Sequence, residues 1–290
     1  MPAPIEEYAL LSDCRTAALV SREGSIDWFC PPRFDAPSVF GALLGDPTHG
    51  RWALRPTQAD ALVERRYLPD TFILLSRWET SSGVAEVQEF LTLAGRRTQL
   101  IRRIVGVSGV VDFDTELRLH FDYARALPWV RQVGTDAAPA LWATAGPDAV
   151  VVRGVRLIAS DHAHRASFSV SAGQTRDLVL TWFPSYEETP GPADVERAIA
   201  GTRSWWQGWA SSIRHEGEYR EAVVRSLLTL RALTDRDTGG IVAAATTSLP
   251  EDFGGSRNWD YRYVWLRDAA LTLEVLIAHG FLSEVHHWRR

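Results

Sequence analysis

The pattern of hydrophobic and polar positions changes near residue 187. Before that point apolar residues recur at every second position, and the longest such run covers residues 111–123. Val111 and Phe113 share one parity in this run, and Asp112 and Asp114 share the other. Period two places one set of side chains on a buried face and the other set in water. The pattern therefore predicts a half-buried strand over residues 111–123.

Further short strands are predicted in the same part of the chain. They lie near residues 15–20, 25–30, 72–79, 84–91, 99–107, 140–144 and 149–153. Two alternating runs, 166–171 and 178–182, flank a turn at Ala172 and Gly173, which predicts a hairpin. Short strands at close spacing with Gly and Pro turns are typical of an antiparallel sandwich. We therefore predict an N-terminal antiparallel β-sandwich over residues 1–187.

The remaining chain shows the periodicity of helices. Residues 187–192 have the composition of a linker, and a helix is predicted from Asp194 to about Ile213. From Glu218 onwards, apolar residues recur at three- and four-residue spacing. An extended piece over 241–249, a helix over 265–278 and a last helix from Ser283 follow. We assign residues 188–217 to a helical linker and 218–290 to the start of a helical domain, which makes the fold class α+β and multidomain.

Composition and charge exclude several functions. The chain has 31 basic and 36 acidic residues, a net charge of −5 and no basic run, so we predict no nucleic-acid partner. Every basic residue is Arg, which removes mechanisms that need a Lys. Cys14 and Cys30 cannot form a zinc site alone, and the His162/His164 pair lacks a third ligand. We therefore predict no metal and no cofactor.

The N-terminus has no basic start and no apolar stretch of signal-peptide length, which favours a cytoplasmic protein. No run approaches ~18 apolar residues, so we predict no membrane span. The twelve Trp residues fit either core packing or flat platforms for sugars. The sequence leaves the oligomeric state open, and a homo-oligomer is compatible with it.

Two long motifs resemble a known family. Residues 12–30 read SDCRTAALVSREGSIDWFC and continue into PRFDAPSVF at 32–40; residues 256–269 read SRNWDYRYVWLRDA. The first resembles the N-terminal β-sandwich of bacterial trehalase-like and glucoamylase-like enzymes of glycoside hydrolase family 15. The second resembles the motif near the start of that family's catalytic (α/α)6 barrel. The resemblance covers essentially the whole chain but only the front part of the family's length.

The resemblance implies inverting hydrolysis of α-glucosidic bonds, in trehalose or at the non-reducing end of an α-glucan. Inversion needs a carboxylic acid and a carboxylate base about 6.5–9.5 Å apart. In the family both are glutamates of later barrel helices, which fall beyond Arg290. A twelve-helix barrel needs at least about 250 residues, and 218–290 are too few for it. We therefore expect this chain to be a fragment, with the opening helices of an incomplete barrel and no catalytic residue of its own.

The resemblance also implies a substrate-binding role for Arg267 and Asp268, which would bind hydroxyl groups of the terminal glucose. A carboxylate accepts several sugar O–H bonds, and a guanidinium donates several in a fixed fork. Trp265 would stack on the sugar, and Trp259 and Asp260 belong to the same loop. A local alternative is that Asp268 caps its helix and pairs with Arg267, while Trp265 fills the core.

The polar cluster of the first motif has two interpretations, buried structural ion pairs or loops that reach over the barrel mouth. Its members are Asp13, Arg15, Asp27, Trp28, Arg33 and Asp35. The cytoplasmic expectation favours trehalase over glucoamylase. A disaccharide phosphorylase of similar architecture is a second hypothesis. A non-catalytic carbohydrate-binding fragment is a third.

Overall fold

The computed structural model describes residues 3–93, 95, 97–215, 217–252 and 254–288. Fourteen strands of these residues belong to one antiparallel system. The strands are β1 (Tyr8–Ser12), β2 (Ala17–Ser21), β3 (Ser25–Phe29), β4 (Arg51–Pro56), β5 (Leu62–Tyr67), β6 (Leu74–Thr80), β7 (Gly83–Leu91), β8 (Gln99–Arg118), β9 (Trp129–Gly134), β10 (Pro139–Ala145), β11 (Asp148–Arg153), β12 (Ile158–Ser160), β13 (Ala163–Ser171) and β14 (Thr175–Pro184).

The 20-residue strand β8 belongs to two layers. Its C-terminal half lies between β4 and β13 in a layer ordered β1-β2-β3-β4-β8-β13-β12. Its N-terminal half lies between β7 and β14 in a layer ordered β5-β6-β7-β8-β14-β11-β10-β9. Val20, Trp52 and Phe113 of the first layer share one core with Ile104 and Leu180 of the second. The N-terminal part is thus a β-sandwich, as its alternation predicts.

The crossing of β8 between the layers depends on glycine. Gly109 has a φ of +61°, and a Cβ there would lie 2.1 Å from the carbonyl oxygen of Ser82. A side chain at Gly106 would collide in the same way with the carbonyl of Ser171. Only glycine adopts this backbone and this approach without strain.

The predicted hairpin over residues 166–182 is wrong. β13 and β14 do not pair with each other; β13 pairs with residues 110–117 of β8 and β14 with residues 99–105. The turn at Ala172 and Gly173 therefore passes the chain from one layer to the other along the same side of β8. Alternation and a Gly turn are common to both arrangements, so the sequence pattern does not distinguish them.

The strand predicted over residues 111–123 has the correct buried face but ends early. Val111 and Phe113 are buried, whereas Asp112 and Asp114 are exposed. The strand stops at Arg118, and the chain then forms a single turn, α1 (Phe121–Ala124), in which Asp122, Tyr123 and Ala124 are left-handed. The phenyl ring of Phe121 is buried, so the odd-numbered positions of the pattern remain on the buried side beyond the end of the strand.

The described helices after the sandwich are α2 (Val195–Ser211), α3 (Arg220–Ala232), α4 (Leu266–Ala278) and α5 (Leu282–Trp288). Asp194 caps α2 by accepting a hydrogen bond from the Arg197 amide at 3.0 Å. Val195 and Ile199 of α2 pack on the outer face of the second layer. Farther along the same helix, the fully buried Trp206 packs with α3 and with Phe72 of the sandwich. Helix α2 therefore joins the sandwich to the later helices by apolar contacts.

Helix α4 buries little of its apolar surface. Its buried residues are Ala269, Thr272 and Leu276, whereas Leu266 is 78% exposed and Leu271 is 59% exposed. Val275 and Ile277 of the same helix are also exposed, and several exposed apolar side chains on one helix are typical of a surface that contacts other protein.

Hydrogen bonds also connect the sandwich to the helical part. The Ser12 hydroxyl donates to the Ala232 carbonyl at 2.7 Å, and the Trp28 indole N–H donates to the Ala245 carbonyl at 2.8 Å. Arg15 forms a bidentate ion pair with Asp237. The first sequence motif therefore lies at the junction of the two parts.

Asp13 at this junction provides a test of stability against pH. Burial raises the pKa of Asp13 to about 6, although amide hydrogen bonds from Thr16 and Arg15 oppose the shift. Because the pKa of Asp13 is higher in the folded chain than in the unfolded chain, protonated Asp13 stabilises the fold at acid pH. This contribution of Asp13 is lost as pH rises through about 6. Between pH 4 and pH 8, the free energy of unfolding of Asp13→Asn should rise by about 2 kcal/mol relative to wild type in urea titrations.

The exposed carboxylate of Asp60 supplies the control for this experiment. Asp60→Asn should keep the wild-type pH dependence, because an exposed carboxylate contributes little. Parallel pH profiles for wild type and Asp13→Asn would contradict the prediction.

Candidate functional site

The second motif lies on an irregular antiparallel ribbon, residues 241–248 against 259–264. The Ala244 amide donates to the Tyr261 carbonyl at 2.9 Å, and the Ser248 amide donates to the Trp259 carbonyl at 3.0 Å. Only isolated bridges connect the two segments within the described residues, so the extended piece predicted over 241–249 is not a regular strand. The ribbon leads directly into α4, and its position fixes where that helix begins.

Asp260 is held by Arg262 on this ribbon. The Arg262 Nε donates to Oδ1 of Asp260 at 2.9 Å, and Nη2 donates to Oδ2 at 2.7 Å. Burial alone would raise the pKa of Asp260, but the hydrogen bonds and charge of Arg262 outweigh it and lower the pKa. Both carboxylate oxygens are therefore engaged, and a sugar hydroxyl at Asp260 would have to share them.

The side chain of Arg262 is 4% exposed, and its guanidinium extends into the sandwich. Its Nη1 donates to the Ala36 carbonyl at 2.8 Å and to the Phe34 carbonyl at 3.3 Å. The guanidinium carbon lies 5.8 Å from the ring centroid of Trp28 and 5.6 Å from that of Tyr123. All three nitrogens of the Arg262 guanidinium donate hydrogen bonds, and this fixes the orientation of the side chain in a way that the single ammonium group of a Lys cannot.

Arg267 and Asp268 lie in the first turn of α4. Nη2 of Arg267 lies 3.5 Å from Oδ2 of Asp268, and their side chains are 76% and 37% exposed. Oδ2 of Asp268 is buried, yet no group in the described part of the chain donates a hydrogen bond to it. The N-cap residue is Trp265, which makes no side-chain capping bond. The start of α4 thus carries a buried carboxylate oxygen without a hydrogen-bond donor among the described residues, beside a largely exposed guanidinium with which it forms only a long ion pair.

The two tryptophans of the motif have different surroundings. Trp265 is partly buried and stacks on Tyr261, with ring centroids 5.6 Å apart and an interplanar angle of 21°. Trp259 is 41% exposed, and the Arg257 guanidinium lies 5.8 Å from its ring centroid. Both indoles keep surface that a flat sugar face could cover.

A cavity of about 300 Å³ adjoins the ribbon. It is bounded by Arg262, Tyr263 and Val264 of the ribbon and by Arg33 and Asp35 of the sandwich. Arg33 and Asp35 form a bidentate pair, so the first motif contributes ion pairs here. The sequence indicated no partner of Arg262 beyond its loop neighbour Asp260, because the other acceptors are two backbone carbonyls more than 220 residues away. No signal in the sequence points to such acceptors.

Comparison with protein families decides the relationship. Residues 1–199 match the family described as trehalase-like, N-terminal, and residues 217–290 match glycosyl hydrolases family 15. The chain belongs to the trehalase-like N-terminal family. The resemblance read from the two motifs is thereby confirmed.

Curated relatives of this family member are trehalases. The chain is 34% identical over 309 residues to a trehalase of Mycolicibacterium smegmatis, covering 97% of this chain and 46% of the relative. It is 29% identical over 273 residues to a trehalase of Thermoplasma acidophilum, covering 92% and 46%. The chain therefore spans about half the length of the curated relatives it matches.

The fold has a counterpart in a solved structure, a bacterial glucoamylase complexed with acarbose. The TM-score is 0.70 at 12% identity, over 99% of this chain and 49% of that chain. This likeness supports the predicted architecture of sandwich and opening barrel helices. Among the helices of the described residues, none has the length and hydropathy that a membrane crossing requires.

Proposed function

We propose that this chain supplies the sugar-binding front part of a glycoside hydrolase that cleaves α-glucosidic bonds with inversion. The observation that carries the proposal is the start of α4, where a buried oxygen of Asp268 lacks a hydrogen-bond donor beside the exposed Arg267. A sugar hydroxyl would donate to that oxygen, and Arg267 would donate to a neighbouring hydroxyl. Charge-assisted bonds of this kind contribute about 1.5–3 kcal/mol each.

The indoles of the motif complete the proposed sugar site. Trp265 and Trp259 would cover the C–H face of the terminal glucose. Asp260 would contribute from the ribbon while it remains bound to Arg262. We also propose that the sandwich (residues 1–187) and the barrel helices (218–290) are separate domains, joined by a helical linker over 188–217.

We place the catalytic acid and base outside residues 1–290. A general acid of an inverting hydrolase needs a pKa above the usual carboxyl range. Asp260 has the opposite shift, because Arg262 stabilises its charged form. The exposed apolar residues of α4 are a second argument, because further barrel helices would cover them. The relatives are about twice as long as this chain and have room for such helices.

Trehalose is the proposed substrate, ahead of terminal glucose of α-glucans, since the curated relatives are trehalases. A cytoplasmic location is part of this proposal, because a small internal disaccharide suits it better than an external polymer. The reaction adds water across one glycosidic bond of trehalose. With inversion, it releases one β-glucose and one α-glucose.

The test begins with the intact mass of the protein from its native source, followed by proton NMR of its action on trehalose. We expect a mass well above 32.4 kDa and equal amounts of β- and α-glucose at early times. The 290-residue chain alone should release no glucose. Formation of a sugar phosphate in phosphate buffer would instead indicate phosphorolysis. Hydrolysis by the 290-residue chain, abolished by Asp268→Asn, would contradict our placement of the acid and base.

A further inference from the structure

We infer that Arg262 is a positioning residue through which the β-sandwich fixes the sugar-binding ribbon. This inference rests on the proposed function, since it concerns the same site. Arg262 uses every nitrogen of its guanidinium to bond the ribbon or the sandwich, whereas the tie from the Trp28 indole to the Ala245 carbonyl is a single hydrogen bond. Asp260 is its partner on the ribbon side.

The sandwich provides a socket for this side chain, formed by Trp28, Cys30, Phe34, Ala36 and Tyr123. The Phe34 and Ala36 carbonyls accept hydrogen bonds from Nη1, and Sγ of Cys30 lies 3.7 Å from the same nitrogen. The rings of Trp28 and Tyr123 stack near the guanidinium carbon. The side chain is therefore enclosed by groups that match its donors and its flat faces.

Two residues of the socket are themselves held by hydrogen bonds. The Trp28 indole, fully buried, donates to the Ala245 carbonyl on the opposite strand of the ribbon. The Tyr123 amide donates a hydrogen bond to the Ser38 hydroxyl oxygen at 3.1 Å, which holds Tyr123 in place. Both segments of the ribbon are thus anchored in the same part of the sandwich. This gives the 12–40 motif a role in holding the site instead of contacting the sugar.

The ribbon transmits that position to the sugar-binding residues. Two residues separate Arg262 from Trp265, and α4 with Arg267 and Asp268 begins immediately afterwards. A displacement of about 1 Å in a substrate-positioning group is enough to cost two orders of magnitude in rate. Loosening Arg262 should therefore weaken sugar binding without removing any group that touches the sugar.

Arg262→Lys is the direct test, because Lys keeps the charge and loses the fork. In the protein from its native host, we expect kcat/KM for trehalose to fall about tenfold or more, mainly through KM. In the 290-residue chain, amide hydrogen exchange should accelerate at Ala243, Ala244 and Ser248. These amides donate to the carbonyls of Tyr263, Tyr261 and Trp259.

Arg225→Lys is the matched control. Arg225 also bonds a sandwich carbonyl, that of Thr71 at 2.9 Å, and its guanidinium lies 4.1 Å from the ring centroid of Tyr67. It holds α3 and does not contact the ribbon. Its substitution should lower thermal stability to a similar degree, while KM and the exchange of the three ribbon amides stay at their wild-type values.

The inference is overturned if Arg262→Lys leaves KM within twofold of wild type, or if ribbon exchange changes no more than in Arg225→Lys. Should Arg262→Lys fail to fold, Asp260→Asn weakens the same clamp and must accelerate exchange at the three ribbon amides. KM does not serve for this variant, because Asp260 is itself proposed to contact the sugar. Absence of glucose release by the wild-type protein would refute the proposed function alone. The exchange comparison would then still decide whether Arg262 positions the ribbon.

Discussion

Replacing Glu89 by Gln should lower the free energy of unfolding by about 3–5 kcal/mol, because it leaves the charge of Arg102 buried without its counter-ion. Both side chains are 1% exposed, and the Arg102 Nε donates to Glu89 at 2.8 Å. Burial raises the pKa of Glu89 and lowers that of Arg102, and the attraction between the two charges opposes both shifts. Urea unfolding of the 290-residue chain measures the loss.

The surface pair Arg77–Glu79 provides the control for Glu89→Gln. Its atoms are 3.2 Å apart and its side chains are 31% and 55% exposed, so Glu79→Gln should cost less than about 1 kcal/mol. A double variant, Glu89→Leu with Arg102→Met, should cost less than the sum of its single variants by about 2 kcal/mol. If the two single-variant losses add up to the loss in the double variant, Glu89 and Arg102 have no interaction energy and the prediction is wrong.

Replacing Asp268 by Asn in the protein from its native host should reduce kcat/KM for trehalose about 100-fold. The variant keeps one acceptor oxygen but loses the charge that we propose to accept sugar hydroxyls. Two charge-assisted bonds weakened together account for about 3 kcal/mol, which corresponds to that factor. Steady-state glucose release over a range of trehalose concentrations gives the value.

Glu274→Gln is the matched control for Asp268→Asn, since Glu274 is an exposed carboxylate on the same helix. It should retain wild-type kcat/KM, and both variants should have wild-type melting temperatures within about 2 °C. Equal activity of Asp268→Asn and Glu274→Gln would remove the sugar-binding role of Asp268. A loss of activity that tracks a loss of stability would assign Asp268 to the helix instead.

The sequence by itself determined the layers of the fold, because burial on one side of a strand or helix leaves a local pattern. Alternation marked the buried face of β8, and helical spacing marked α2. The resemblance of the motif at 256–269 to glycoside hydrolase family 15 also led to the proposal of a sugar site at the start of α4. The buried face of β8 and the extent of α2 depend on residues close together in the chain, so the amino-acid sequence alone indicates them.

Only the tertiary structure decided how these elements connect. Whether β13 and β14 pair with each other or continue along β8 depends on which strand edge is free, and both arrangements have the same alternation. The role of Arg262 depends on carbonyls of Phe34 and Ala36, which any residue type could supply. Backbone acceptors leave no trace in side-chain identity, so distant hydrogen bonds of this kind require the folded chain.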